Sequence, residues 1–460
     1  MIVMKFGGTS VEDAAAMRRM CDIVKSRVKR KPIVVLSACS GVTNTLIQCA
    51  EHAASGREAD AQTLLKEQIA DRHIDIIQGL LTGLREQDLL IREVSAFTDE
   101  LRHLLYGIGI TGDLSPRVLD FVMSYGERIS TTIAVAALRE MGLRAVLSDS
   151  RKCIATNSAF GKAEPDFNTT GLNCETMLLS TVEKGDLPVA QGFIGADARG
   201  ITTTLGRGGS DYSAAIIGAV LNADDIEIWT DVDGILTADP KIVPHALRVK
   251  EMSFQEASEL AYFGAKVLHP STLLPAVEKN IPVHIYNSKK PDAGGTLIKP
   301  RVTASHTAVK SISSKRGVTV LNISSARMLG SYGFMKKIFD IFNEHHTSVD
   351  LVTTSEVSVS LSLDYSPDIE ALIAHLEEYG RVQVQKHKAI VCIVGEKLKS
   401  EKGIAARVFG RLKDVPVDMI SQGASEINIT FVIDETHVPL AVRELHDEFF
   451  SGVKGKGVFE

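Results

Sequence analysis

Three glycine-bearing stretches carry charges or hydroxyls in patterns suited to an anionic ligand. The first, "KFGGTS", sets one cation, Lys5, two residues ahead of Gly7 and Gly8 and then adds Thr9 and Ser10. Glycines let the backbone approach a ligand closely, and the start of a following helix offers free N–H groups and partial positive charge. The spacing is not G-x-x-x-x-G-K-[ST], which excludes a Walker-type phosphate loop; on its own an ordinary strand–turn–helix accounts for it equally well. The second stretch, "LSACSGVTN", brings Ser37, Ser40, Gly41 and Thr43 to the end of an apolar run, where Ser40 or Thr43 could also be a plain helix cap. The third, "TTTLGRGGSDYSAA", holds Gly206, Arg207, Gly208, Gly209, Ser210 and Asp211. Arg207 suits bidentate contact with a carboxylate or phosphate, and Asp211 could be a cap or a charge partner.

Three further stretches fit the same chemistry. Glu127 in "SYGERIS" could take an ammonium group just inside a helix. Lys266 in "AYFGAKVLHP" offers a second cation for a polyphosphate, or a partner for a helix C-terminus. Thr230, Asp231 and Asp233 in "WTDVDGILTADP" could contact a nucleotide or a magnesium ion held by phosphates, or could form an Asp-rich turn. The pair "HH" at 345–346 fits a solvated helix end better than a metal site.

These residues need a scaffold that ends strands at loops. "IVMKF", "PIVVLSA", "RAVLSD", "LPVAQGFIG", "DDIEIWTDVDG" and "PVHIYNS" are short, near-continuous apolar runs separated by helical segments such as "EDAAAMRRMCDIV". That alternation predicts a mainly parallel sheet covered on both faces, whose ligands sit outside the carboxyl ends of its strands. Residues 51–110 are mostly helical and form an insertion over the sheet. "KKPDAGGTLIKP" breaks the pattern, and shorter alternating strands follow. There the chain repeats itself: Gly333 and Gly403 stand 70 positions apart, as do Phe339 and Phe409, and Asp364 and Asp434. Each copy has the order βαββαβ, the ferredoxin-like arrangement.

The bulk numbers leave this picture undisturbed. A chain of 460 residues is long for one core and implies two or three domains. Net charge of −6 gives no reason for nucleic-acid or membrane binding. The one dense basic run, Lys25, Arg27, Lys29, Arg30 and Lys31, predicts a solvated helix end stopped by Pro32. The six cysteines show no C-x-x-C or zinc spacing, and no secretory or membrane-spanning segment stands out, so reduced thiols and a cytoplasmic location are expected.

"KFGGTSV", "SYGERIS", "QGFIG", "TTTLGRGGSDYSAA", "WTDVDG" and "FGAKVLHP" together resemble the aspartokinases of the amino-acid kinase family, in order and from about residue 3 to the end. "SVDLVTTSEVSVSLSLD" resembles the lysine-sensitive, monofunctional type, with no homoserine dehydrogenase part. The resemblance implies a three-layer α/β sandwich over 1–296 followed by two ACT domains: a linker and first strand of the second over 297–314, an inserted first ACT domain over 315–385, and the remainder over 386–460. It implies transfer of the ATP γ-phosphoryl to the β-carboxylate of L-aspartate, the entry step to lysine, threonine and methionine. Lys5, Gly7, Gly8, Gly209 and Asp211 would be catalytic, and Thr43, Glu127, Arg207, Gly208 and Ser210 would bind aspartate. Lys5, Thr230, Asp231, Leu236, Lys241 and Lys266 would lie along ATP, with Mg²⁺ held mainly by its phosphates. Relatives carry Tyr after "DVxGI" and Arg after "DP"; here Leu236 and Lys241 stand there, so base stacking weakens and Lys241 acts as a point charge. An amino-acid inhibitor, lysine in first place, would meet Met328, Ser331, Phe334, Met335, Ser348, Val349, Asp350, Thr354, Ser355 and Glu356; plain core packing explains the Met and Phe positions equally well. A homodimer through the ACT strands, or a dimer of dimers, follows from the open edges of small sheets. A glutamate or acetylglutamate kinase and a catalytically dead amino-acid sensor are the rival readings; Arg207 with Glu127 favours a free α-amino acid, and Lys5, Asp211 and Lys266 favour an enzyme.

Overall fold

Every residue of the first strand, β1 (Ile2–Phe6), is buried, as a run apolar on both faces requires. The structure is a computed structural model and describes residues 1–264, 270–302, 308–423, 425–453 and 457–460. It divides into two units, Met1–Ile235 with Val267–Arg301, and Leu236–Lys266 with Val302–Glu460. In the first unit β1 is joined by β2 (Pro32–Leu36), β3 (Ala145–Ser148), β4 (Leu187–Gln191), β5 (Asp225–Thr230), β6 (Val283–Asn287) and β7 (Thr296–Lys299). Their order is β3-β4-β2-β1-β5-β6-β7, parallel throughout except for the β6–β7 pair.

The two-residue alternation of β1 decides its chemistry. Ile2, Met4 and Phe6 join the core beneath α1 (Ala14–Arg27), α2 (Val42–Ala54), the helical residues of 58–111, and α3 (Pro116–Glu140). Lys5 takes the opposite face, against α4 (Gly209–Val220), so helices cover both sides of the sheet. Asp13 caps α1 by accepting the Ala16 N–H at 2.7 Å, and Ser115 caps α3 with Pro116 in its first turn. The six cysteines are buried and unpaired.

The basic run ends α1 in solvent as expected, with Lys25, Lys29, Arg30 and Lys31 exposed, yet two of its arginines also reach buried acids. Arg27 Nε lies 3.2 Å from Glu227 Oε1, and Arg30 reaches Glu227 at 2.7 Å and Asp225 at 2.8 Å. Glu227 is fully buried in β5 and also accepts the Trp229 indole N–H at 3.1 Å. A buried carboxylate needs such partners, and the arginines supply them from α1 and the turn after it.

The second unit carries both repeats on one antiparallel sheet. Strands β8 (Val309–Ser324), β9 (Leu351–Thr354), β10 (Ser358–Leu363), β11 (Arg381–Gly395), β12 (Met419–Gln422) and β13 (Asn428–Asp434) run in the order β9-β10-β8-β11-β13-β12. Strands β8 and β11 are long enough to serve both copies: Ile312 pairs with Ile393 beside the second repeat, and Ile323 with Val382 inside the first. Helices α5 (Phe334–Glu344), α6 (Ile369–Glu377), α7 (Ile404–Gly410) and α8 (Val438–Phe450) complete the two βαββαβ units. The repeat extends to the backbone: Gly333 and Gly403 start α5 and α7 with φ of 78° and 76°, a left-handed geometry that a side chain would strain.

Lys310 on β8 is fully buried, its Nζ 2.8 Å from Glu256 Oε2, which also accepts the Ser253 N–H and hydroxyl. Removing one member of such a pair strands the other charge. Lys310→Met is therefore expected to lower the unfolding free energy by about 3–5 kcal/mol in urea titrations followed by circular dichroism. Adding Glu256→Leu should recover much of that loss; an intact single variant would remove the pair from the fold's supports.

Candidate active site

The first glycine loop is bound to the sheet on one side and to the second loop on the other. The Gly7 N–H donates to Trp229 O at 2.9 Å, and the Ser40 N–H donates to Gly8 O at 3.1 Å. A Cβ on Gly8 would stand 3.0 Å from Ala38 O and 3.2 Å from Ser40 N, so only glycine lets the two loops touch without displacement. The third loop is equally constrained: a Cβ on Gly209 would meet the Phe193 ring at 2.6 Å. Phe193 is fixed in turn by its N–H bond to Ser213 Oγ at 2.9 Å. Gly208, with φ of 71°, begins α4 without any side-chain cap, so Asp211 is not the cap. Asp211 lies 2.6 Å from Lys5 Nζ instead, both side chains largely buried. The second loop is likewise capped by neither Ser40 nor Thr43: Gly41, at φ of 85°, begins α2.

A cleft of about 640 Å³ opens where the three loops meet. Its walls include Lys5, Gly8, Thr43, Glu127, Arg207, Gly208, Gly209, Ser210 and Asp211, residues from four distant stretches of chain. Gly7 sits behind this wall, bonded to β5. Glu127 stands in the middle of α3, not near its start, and is only 3% exposed. Burial pushes its carboxyl up to about 8, against the opposing pull of the Ala38 N–H and the Lys5 charge. Its Oε2 has no hydrogen-bond partner among the described residues, which leaves a buried acceptor inside a cleft. Arg207 is exposed on the wall and forms no ion pair among the described residues.

Other expected residues lie elsewhere. Thr230 ends β5 and its hydroxyl donates to Asp231, the next residue, at 3.3 Å, outside the cleft wall. Asp233 is held by Asn287 and by Lys290 at 2.9 Å. Leu236 and Lys241 belong to the second unit, and Lys266 lies outside the described residues. Of the effector set, Phe334 is buried in the first repeat's core and Met328, Met335 and Val349 pack against it, so packing accounts for those four. Ser331, Ser348, Thr354, Ser355 and Glu356 are exposed. Asp350 accepts the Tyr262 hydroxyl at 2.6 Å and the Lys315 ammonium at 3.2 Å. His345 ends α5 with its ring 3.4 Å from that of His375. The cleft's two carboxylates, Glu127 and Asp211, are respectively neutralised by burial and paired with Lys5; they fit a magnesium ion brought in on phosphates, not one caged by the protein.

Asp120 was not evident as a site residue. It is fully buried on α3, two turns before Glu127, and accepts the Gly161 N–H at 2.9 Å, the Thr204 N–H at 2.9 Å and the Thr204 hydroxyl at 2.7 Å. It therefore ties Gly161 and Thr204, both cleft residues, to the helix carrying Glu127. The available signal was a carboxylate seven positions before another on an apolar helix face. Asp120→Ala should lower stability by about 2–3 kcal/mol, since charged hydrogen bonds vanish and buried donors are orphaned; a chemical denaturation curve checks it.

Comparison with known proteins places this geometry. Residues 1–287 match the amino acid kinase family, and residues 391–449 match an ACT domain. The chain is 39% identical over 462 residues to lysine-sensitive aspartokinase 3 of Escherichia coli, covering 98% of this chain and 99% of that protein. It is 37% identical to aspartokinase 1, chloroplastic, of Arabidopsis thaliana, covering 97% of this chain and 80% of that protein. The crystal structure of E. coli aspartokinase III with aspartate and ADP superposes with a TM-score of 0.86, covering 98% of this chain and 100% of that one at 39% identity. The same enzyme with lysine and aspartate, in its T-state, gives 0.82, covering 98% of this chain and 99% of that one at 39% identity. Sequence, fold and cleft together assign the chain to the aspartokinases of the amino acid kinase family.

Proposed function

We propose that this chain transfers the γ-phosphoryl group of ATP to the β-carboxylate of L-aspartate, giving 4-phospho-L-aspartate at the head of lysine, threonine and methionine biosynthesis, and that lysine inhibits it. The observation that carries this reading is the Lys5–Asp211 pair at 2.6 Å, on the same cleft wall as Arg207 and the buried Glu127. The E. coli relative was crystallised with aspartate and ADP, which agrees with a cleft built for an amino acid beside a nucleotide.

The chemistry asks little covalent work of the protein. The substrate carboxylate is already ionised, so no general base is needed, and catalysis reduces to alignment and charge neutralisation on a loose phosphoryl transition state. Lys5 contacts the transferring phosphoryl while Asp211 fixes its ammonium, and Gly8 presents its backbone N–H; the N–H groups of Gly7 and Gly209 are already donated to Trp229 O and Gly206 O, each at 2.9 Å, so these two glycines serve by close backbone approach instead of as donors. Arg207 clamps the aspartate α-carboxylate, Glu127 takes the α-ammonium, and Thr43, Gly208 and Ser210 complete the pocket. Magnesium carried on the phosphates supplies further charge neutralisation. Thr230, Asp231, Leu236, Lys241 and Lys266 attend the nucleotide.

The same proposal includes the division at 296, 314 and 385 into a catalytic domain and two ACT domains, supported by strands β8 and β11 spanning both repeats. It places inhibitor recognition around Asp350, which already holds one ammonium, that of Lys315. It includes a homodimer through the ACT strand edges and a cytoplasmic location; among the described residues no helix is long and apolar enough to cross a membrane.

A coupled ADP-release assay with aspartate, glutamate and acetylglutamate distinguishes the readings: turnover with aspartate alone is expected, and none with any would defeat the enzyme reading. Lysine added to that assay should inhibit, ahead of threonine and methionine. Lys5→Ala should lower kcat by about 10³-fold with little change in KM. Glu127 gives a pH signature. Its carboxyl ionises near 8 rather than at its ordinary 4.5, so the neutral form stabilises the free fold, fully below 4.5, and that contribution is lost as pH rises through 8. An ammonium group wants the ionised form, so KM for aspartate should fall as pH rises toward 8. Glu127→Gln should raise KM and flatten that dependence.

A further inference from the structure

The second unit holds a histidine that its surroundings leave half satisfied. His446 on α8 is 2% exposed. Its Nε2 lies 3.0 Å from Thr237 Oγ1, and its Nδ1 has no partner among the described residues. A neutral imidazole carries its proton on one nitrogen only. A proton on Nδ1 would be a buried donor with nothing to bind. A proton on Nε2 is donated to Thr237, which leaves Nδ1 as a bare lone pair. Thr237 Oγ1 already accepts the Leu247 N–H at 2.8 Å, so its position is fixed. The Phe450 ring, 4.8 Å away between centroids, holds the plane of the imidazole.

Two other ligand types meet at this point. One ligand atom each from His245, His446 and Asp447 lies within 4.8 Å of the others, and His245 Nε2 is 4.0 Å from Asp447 Oδ1. They line a pocket of about 590 Å³ with Phe450 and Glu460. Arg248, the nearby cation, is paired with Glu460, so its charge is compensated. His245 and Asp447 are exposed, which leaves their side chains room to rotate toward the ~2 Å bonds of a bound ion.

We propose that His446 Nδ1, His245 and Asp447 form a site for a divalent transition-metal ion of the zinc class, with Thr237 orienting His446 through Nε2–H. Two imidazoles and one carboxylate select zinc, cobalt or nickel over the hard, oxygen-seeking magnesium and calcium. Three protein ligands leave a fourth position for water or an anion. The hydroxyl behind the buried histidine is the outer partner that metal-bound imidazoles almost always have. A bound ion would tie the segment carrying Lys241 and His245 to α8, where Arg443 already donates to Ile242 O at 3.3 Å.

The test uses the full chain, stripped with chelator and free of nucleotide, titrated with Co²⁺ alone and then Zn²⁺ alone. One Co²⁺ per chain is expected, with a ligand-field spectrum free of sulfur charge-transfer bands, displaced by Zn²⁺. His245→Ala and Asp447→Asn, both at exposed positions, should each abolish the spectrum while their melting curves in chelator match the parent's. Thr237→Val should weaken Zn²⁺ binding about 10-fold or more. Unchanged Co²⁺ spectra in both ligand variants, sulfur bands in the parent, or no binding at micromolar metal would each overturn the site.

Discussion

The ammonium of Lys5 is buried at the carboxyl end of a central strand, and the first unit is arranged around that fact. A cation so enclosed needs a carboxylate close by, and Asp211 stands 2.6 Å away in the first turn of α4. The pair joins a residue near one end of the chain to a helix more than two hundred positions on. It depends on β1 lying between β2 and β5, which fixes the strand's register, and on period-two alternation, which sends Lys5 to the α4 face while Met4 and Phe6 enter the core. A one-residue slip would bury the lysine among aliphatic side chains and empty the cleft.

Close approach of backbones is the second constraint. Gly8 lets the first loop touch the second, and Gly209 lets α4 begin against Phe193. Both contacts sit within the wall of the cleft, where the absence of side chains lets backbone segments close on one another. Asp120 serves the same wall from behind, converting two backbone donors and a hydroxyl into a fixed frame. The buried acid Glu127 is held largely neutral by its surroundings, with one carboxyl oxygen unpartnered among the described residues.

The second unit solves a different problem. Two short βαββαβ copies would each leave strand edges open; sharing β8 and β11 makes one six-stranded sheet with a continuous interior. The buried Lys310–Glu256 pair and the half-satisfied His446 lie in this unit, and both concern polar groups that the fold buries.

Much of this was legible from residue order. Gly7, Gly8, Gly208 and Gly209, the apolar strand runs and the 70-residue repeat carry local information, since glycine, alternation and self-similarity act over a few neighbouring positions. Partners were not legible. That Asp211 pairs with Lys5 and does not cap its helix, that Arg27 and Arg30 reach Glu227 and Asp225, that Glu127 is mid-helix and buried, and that Asp120 holds Gly161 and Thr204 all depend on packing across long separations. The sequence by itself determined which groups were available and which segments would be strand, helix or turn. Only the tertiary structure decided which charges meet and which are desolvated, because Coulomb and burial terms depend on distances through space that chain order does not set.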